Sequence, residues 1–258
     1  MSFFDELYQD NARSSDGARM FSVTTGRVVE NWDDKHPGMV RVEVFLGESG
    51  KNRTDWVRVA QPYAGKEYGH YFLPEVGDEV VLAFNLGDRD HPIVIGSLWS
   101  QVNPLPQKAA AEKNETKTLR TKGGNELTFS DVQGKESVSL RTKGELTLVL
   151  EDEPAEIRLC DKDKKNILTI SGKNGAVTVQ AEKKIVLDVG GGSLTLDGQG
   201  KKAALKMDTV SIEAGQSLNL KGQSVKLEGS MMTVKSSGNL DVNASGMLTL
   251  KGSMAKIN

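Results

Sequence analysis

Several things are scarce in this chain of 258 residues, and each scarcity removes a class of protein. It has one cysteine, Cys160, so no internal disulfide and no multi-cysteine metal site can form. Its three histidines, His36, His70 and His91, all fall in the first hundred residues. A serine or cysteine nucleophile would need a histidine base within reach, and all three read as plain surface residues in loops of one domain. Aromatics make up 5% of the chain, and after Phe129 there is no Phe, Tyr or Trp at all. No stretch approaches the ~20 apolar residues of a membrane helix. The first fifteen residues, MSFFDELYQDNARSS, lack the basic start and apolar run of a secretory signal. Synthesis and assembly are accordingly expected in the cytoplasm, with any later exit driven by other components. Neither sign of charge dominates: 33 basic against 35 acidic residues give a net charge of -2. No basic face with interleaved aromatics marks a nucleic-acid partner.

Other motifs that could carry chemistry are incomplete. Asp161-Lys162-Asp163 alternates carboxylates, but calcium needs six to eight oxygen ligands and a full loop. Gly198-Gln199-Gly200-Lys201 is followed by Lys202, where a phosphate-binding loop needs a hydroxyl residue. This stretch and Gly190-Gly191-Gly192 read as corners, where glycine tolerates unusual backbone angles.

What is abundant is alternation. Residues 1–21 are mostly polar, and Phe3, Phe4 and Leu7 make a short helical stripe that offers a docking segment or packs on its own domain. Residues 22–99 contain five strand-like runs: Phe21–Asn31, Met39–Leu46, Trp56–Ala60, Glu79–Asn85 and Ile93–Trp99. Turn chemistry separates them, at His36-Pro37-Gly38, Gly47-Glu48-Ser49-Gly50, Gly77-Asp78 and Leu86-Gly87-Asp88. Five short strands in this length predict a small closed barrel of the OB type, because closure removes exposed edges. Residues 100–117, with two prolines, an alanine run and mixed charge, read as a linker.

The remaining chain, 118–258, carries an internal repeat. Residues 118–160 hold longer, less regular strands: Glu126–Ser130, Ser137–Thr142, Leu146–Leu150 and Glu156–Cys160. From Val177 onward an apolar–polar–apolar triplet recurs, starting at Val177, Ile185, Leu194, Leu205, Val210, Leu218, Val225, Met232, Leu240 and Leu248. From Val210 the steps are 8, 7, 7, 8 and 8 residues. Strands so short with a turn after each cannot make a useful hairpin meander. Single-chain β-helices spend ~20 or more residues per coil. Three chains winding round one axis would instead close a triangular prism, with modest aliphatic side chains meeting inside. Each buried Leu or Val contributes roughly 1.5–3 kcal/mol. The expected trimer core comprises Val210, Ile212, Leu218, Leu220, Val225, Leu227, Leu240, Val242, Leu248 and Leu250. The fold class predicted is thus all-β: an OB-fold barrel at 22–99, then an intertwined triple-stranded β-helix at 118–258, wider over 118–160 and regular over 161–258.

The barrel also carries recognisable words. Trp56-Val57-Arg58-Val59-Ala60, Pro62-Tyr63-Ala64-Gly65, Tyr71-Phe72-Leu73-Pro74-Glu75-Val76-Gly77-Asp78-Glu79-Val80 and Pro92-Ile93-Val94-Ile95-Gly96-Ser97-Leu98 occur in that order. Together they resemble the OB-fold domain of the phage baseplate assembly V and VgrG-type spike family. Lys122–Asp131 resembles the entry of such proteins into their β-helix, and Gly246–Ser253 is similar to the end of one. The resemblance implies a homotrimeric, non-enzymatic spike at the tip of a contractile tail, type VI-like or extracellular injection system, puncturing a target envelope on transient contact. Full-length VgrG proteins begin with large hub domains, and this chain has 21 residues before the barrel. The resemblance therefore implies a separate hub protein and inner tube at the N-terminal end, with Phe3, Phe4 and Leu7 as candidate hub contacts. At the other end it implies a separate PAAR-like tip, contacted through Met254, Ile257 and Asn258, and effector cargo is compatible with it. The His-x-His iron tip of some short phage spikes has no counterpart here, nor has their muramidase insert.

Two other readings compete on the residues alone. An oligonucleotide- or sugar-binding OB module on a stalk would use Trp56, Tyr63, Tyr68, Tyr71 and Phe72 as stackers, although its electrostatic funnel is missing. A lyase or hydrolase on a single-chain β-helix would need longer coils and clustered acids.

Overall fold

The computed structural model describes residues 22–45, 52–88, 90–106, 110–254 and 256. Among them there is no α-helix, only strands and one short 3-10 turn at Asn85–Gly87, so the protein is all-β. Position 46 and the predicted turn at 47–50 lie outside the described residues.

The barrel strands are β1 (Val23–Glu30), β2 (Met39–Val44), β3 (Val57–Arg58), β6 (Glu79–Phe84) and β7 (Pro92–Leu98), in the spatial order β3-β2-β1-β6-β7. Two-residue strands β4 (Ala64–Gly65) and β5 (Tyr68–Gly69) form a separate hairpin. The five-stranded sheet closes on itself: Val59 bridges Val94 in parallel, and the Ala60 N–H donates to the Val94 carbonyl at 2.7 Å. Closure matters because an open edge would present unpaired backbone groups.

Alternation along the strands sends Val28, Val40, Val42, Val57, Val80, Leu82 and Val94 inward, each at most 3% exposed. Gly26 sits where β1 crosses between β2 and β6, opposite Val44 and Val80. A Cβ there would lie 2.6 Å from the Val42 methyl and 2.7 Å from the Glu43 carbonyl oxygen, so the crossing requires glycine. The loop bearing the Pro74-Glu75-Val76-Gly77-Asp78 word is tied to β1 by reciprocal bonds, Val28 N to the Asp78 carbonyl and Gly77 N to the Val28 carbonyl, both 2.9 Å. The same loop accepts from Asn103 Nδ2 at the Gly77 carbonyl, 3.0 Å, and from Lys122 Nζ at Glu75 Oε2, 3.0 Å.

Beyond the barrel the chain makes a seven-stranded antiparallel meander. Its strands are β8 (Thr116–Arg120), β9 (Glu126–Ser130), β10 (Ser137–Arg141), β11 (Thr147–Glu151), β12 (Glu156–Cys160), β13 (Ile167–Ser171) and β14 (Ala176–Gln180). β8 begins inside the segment read from sequence as a linker. A separate three-stranded sheet contains β15 (Lys184–Val189), β16 (Gly192–Asp197) and β17 (Lys202–Lys206), and lies largely in the second compact unit of the chain, Val186–Leu196 with Ala203–Asn258.

Three of the ten triplets, those starting at Val177, Ile185 and Leu194, and the first two residues of a fourth, Leu205-Lys206, thus lie in strands paired within one chain, where strand length had suggested pairing between three chains. The step length explains the difference. Successive apolar triplets at Leu127, Val138, Leu148, Ile157, Leu168 and Val177 lie 11, 10, 9, 11 and 9 residues apart. Such steps leave room for a five-residue strand and a tight turn. Steps of 7 or 8 after Val210 leave three-residue strands, too short to hold a hairpin. No described residue from Met207 onward is in a strand.

Candidate interaction surfaces

The register of the meander stacks its apolar side chains into two rows. Leu119, Leu127, Leu140, Leu148, Leu159, Leu168 and Val179 stand opposite one another across seven strands. Beside them run Phe129, Val138, Leu150, Ile157, Ile170 and Val177, closed at the β8 end by Lys117. Lys117 turns its ammonium away, toward the Asn114 carbonyl and Asp131. Side chains two apart on a strand share a face, so this whole face is aliphatic with one aromatic. Sequence reasoning placed β9 to β12 and the Val177 triplet of β14, read part of β8 as linker, did not place β13, and missed that all but β8 carry the same spacing as the later repeat. The apolar–polar–apolar spacing was the available signal.

The opposite face is polar and knitted. Arg141 Nη2 donates to Glu126 Oε2 at 3.3 Å, and Arg158 bridges Glu156 Oε1 at 2.9 Å and Glu151 Oε2 at 2.5 Å. The hydrogen bond to Glu156 chiefly raises the Arg158 pKa, against the opposing effect of burial and with help from the Glu151 charge. Cys160, the free thiol, is buried on this face, with Thr147 Oγ1 2.9 Å from its sulfur.

Burial is inverted for a lone chain. The Glu126 side chain is 16% exposed, whereas Leu159 is 50% and Val177 68% exposed. A soluble monomer buries its leucines and hydrates its carboxylates. A contiguous apolar sheet face open to solvent marks an interaction surface.

Glu126 also gives the meander a pH dependence. Burial acts to raise its pKa, but hydrogen bonds from Thr128 and Arg141, with the Arg141 and Arg120 charges, outweigh this and hold it below the ordinary 4.5. A carboxylate with a depressed folded-state pKa adds stability above its unfolded value and loses it as pH falls through the folded one. The meander's thermal midpoint is therefore expected to drop below about pH 4.5. Glu126→Gln should lower the midpoint at pH 7 and shrink that acid-induced drop. Equal drops in the two proteins, followed by circular dichroism, would remove Glu126 from this account.

The proposed trimer-core positions lie together on the 208–254 stretch and are all exposed in the single chain, from Val210 at 49% to Leu250 at 84%. Local contacts punctuate this stretch. Ser236 Oγ donates to the Asn239 carbonyl at 3.0 Å and accepts from Gly238 N at 3.2 Å, a hydroxyl-capped turn between the Met232 and Leu240 triplets. Of the expected tip contacts, Met254 is 84% exposed, while Ile257 and Asn258 lie outside the described residues. The candidate hub contacts Phe3, Phe4 and Leu7 also lie outside them.

The barrel's polar chemistry is locally satisfied. His36 Nδ1 is 2.6 Å from Asp33 Oδ2 and its ring stacks on Trp56; His70 pairs with Gln61 at 3.1 Å and His91 with Asp88 at 3.0 Å. These histidine hydrogen bonds lower the pKa of Asp33 and Asp88. Asp161 caps its own turn, accepting from the Lys165 and Asn166 backbone N–H groups, and its pKa is lowered chiefly by the Asn166 side chain. Gly190 and Gly191, with φ of +52° and +101°, form the turn between β15 and β16. Among the described residues no three His, Cys, Asp or Glu side chains are grouped to hold a metal ion. No described helix is long and apolar enough to cross a membrane.

The closed barrel and its ordered loop words define a class of domain: residues 24–99 match the family model described as the type VI secretion system/phage-baseplate injector OB domain. Among curated proteins, the chain is 36% identical over 114 residues to the type VI secretion system spike protein VgrG3 of Vibrio cholerae, a match covering 42% of this chain and 11% of that protein. It is 36% identical over 125 residues to the spike protein VgrG5 of Pseudomonas aeruginosa, covering 45% and 16%. It is 32% identical over 146 residues to the actin cross-linking toxin VgrG1 of Vibrio cholerae, covering 54% and 13%. The resemblance to VgrG-type spikes is thus shown over about half of this chain, which spans less than a fifth of each of these relatives' length.

Proposed function

We propose that this protein is the homotrimeric puncturing spike of a contractile injection machine, working as a structural part and not as an enzyme. The observation that carries this reading is the inverted burial described above: one chain exposes an entire aliphatic sheet face and then a run of apolar triplets with no strand partner. Two further copies supply both missing elements at once, apolar cover for the face and backbone pairing for residues 208–254. The similarity to named spike proteins supports the same role. In this reading residues 22–99 form the barrel, 118–258 the needle, and the spike rests on a hub and inner tube. A separate PAAR-like tip caps the Met254–Asn258 end. The particle assembles in the cytoplasm and is driven outward, so that the spike meets the target envelope as the sheath contracts.

Stiffness is the functional property. A closed, intertwined prism has no free strand edge at which to unzip, and so it transmits compressive load. Light scattering on the purified protein tests the reading directly. A mass near three times 28.0 kDa is expected, and a monomer would overturn it.

A further inference from the structure

We infer that the needle is built in two stages ordered along the chain, with the closing running from the meander toward Met254 and using two other copies of this chain as partners. The inference rests on the trimeric reading above. Residues 116–206 find their strand partners within one chain: β8 to β14 pair in sequence order, and β15 to β17 form a second sheet. Those pairings are between near neighbours in sequence. They close short loops, form on the microsecond scale of hairpins and do not depend on protein concentration.

Residues 208–254 differ. Their backbone is outside any strand, and Leu218, Leu227, Met232 and Leu240 are each more than half exposed. Buried backbone groups must be paired, and a three-residue strand cannot nucleate alone. The partner that matches a repeat of 7 or 8 residues is the same repeat in another copy. Three free C-terminal segments would have to meet untethered, at the full entropic cost of association. Once three meanders dock through their aliphatic faces, the segment at Val210 is held beside its two counterparts at a high effective concentration. Each triplet that closes then tethers the next by a short turn, such as Ser236–Asn239. Polarity follows from this tether: the Val210 triplet closes first and the Leu248 triplet last.

The test is pulse-labelled amide hydrogen exchange on the 258-residue protein during refolding, at two protein concentrations, with Leu218→Asp and Leu248→Asp alongside. In the wild type, protection of residues 116–206 is expected first and at a concentration-independent rate. Protection of 208–254 should come later, faster at the higher concentration, with exchange slowed about a hundredfold or more once closed. Leu218→Asp should lose protection from its own triplet through Leu250. Leu248→Asp should lose it at the last triplet alone. Barrel protection at Val28 and Leu82 verifies that each variant is folded. Simultaneous protection of the two regions, or a Leu218→Asp protein that still protects 232–250, overturns the ordered closing while leaving the trimer intact. A monomeric wild-type protein overturns the trimeric reading itself.

Discussion

Leu159→Asp is expected to yield a monomer with an intact barrel, while Thr169→Asp leaves the trimer in place. Leu159 stands in the first aliphatic row, opposite Leu148 and Leu168, and is half exposed in the single chain. In the proposed trimer that exposure is removed. An aspartate there would forfeit the roughly 1.5–3 kcal/mol of a buried leucine and bring an unpaired charge into the interior beside two copies of itself, at several kcal/mol per ion. Thr169 lies on the other face, directly opposite Arg158, which already pairs with Glu151 and Glu156, so an added carboxylate there stays off the aliphatic interface. Light scattering reads the mass, and tryptophan fluorescence reads the barrel, because Trp32, Trp56 and Trp99 all lie within residues 24–99. The reverse pattern, with Thr169→Asp dissociating and Leu159→Asp trimeric, would make the polar face the interior and sink the arrangement proposed here.

Leu82→Ala and Gly26→Ala are expected to cripple the barrel by opposite means. Leu82 is fully buried among Val28, Val40, Val42, Val80 and Val94. Removing its three terminal carbons leaves a cavity in a small closed core, a change that costs about 2–5 kcal/mol out of a domain stability of roughly 5–15 kcal/mol. Gly26→Ala adds a single carbon, but that carbon meets the Glu43 carbonyl oxygen and the Val42 methyl well inside contact distance. β1 is hydrogen-bonded on both sides, to β2 and to β6, so it cannot shift without breaking one ladder. Urea denaturation followed by tryptophan fluorescence should show the midpoint falling in both variants. A Gly26→Ala midpoint equal to wild type would show that the crossing can relax.

How far residues alone carry the argument differs along the chain. In the barrel, Val40, Val42 and the Glu79–Phe84 run alternate as strands half in a core must, and their turns announce themselves by Gly and Pro. The five strands were therefore legible there. Closure was expected from the need to remove strand edges, but which residues join was not legible, because a bridge between Val59 and Val94 links residues distant in sequence and leaves no local pattern. In the meander β9 to β12 and the core of β14 were legible, but β8, β13 and the two continuous aliphatic rows were not. Rows depend on register, and register is set by turn geometry such as Gly124 at φ +92° and Glu145 at φ +65°, which composition does not reveal. The shortening of the step from 9–11 residues to 7–8 was visible in the sequence, and its meaning became plain only when the longer steps proved to pair in-chain.

By itself, then, the sequence determined the all-β class, the barrel's strands and the apolar triplet, because periodicity and turn chemistry are local properties written in neighbouring residues. Tertiary structure alone decided which face of the meander is aliphatic, that its carboxylates are shielded while its leucines face solvent, and that in-chain pairing stops after Lys206. Those outcomes depend on which strands lie side by side, and adjacency across a sheet is a property of the folded chain.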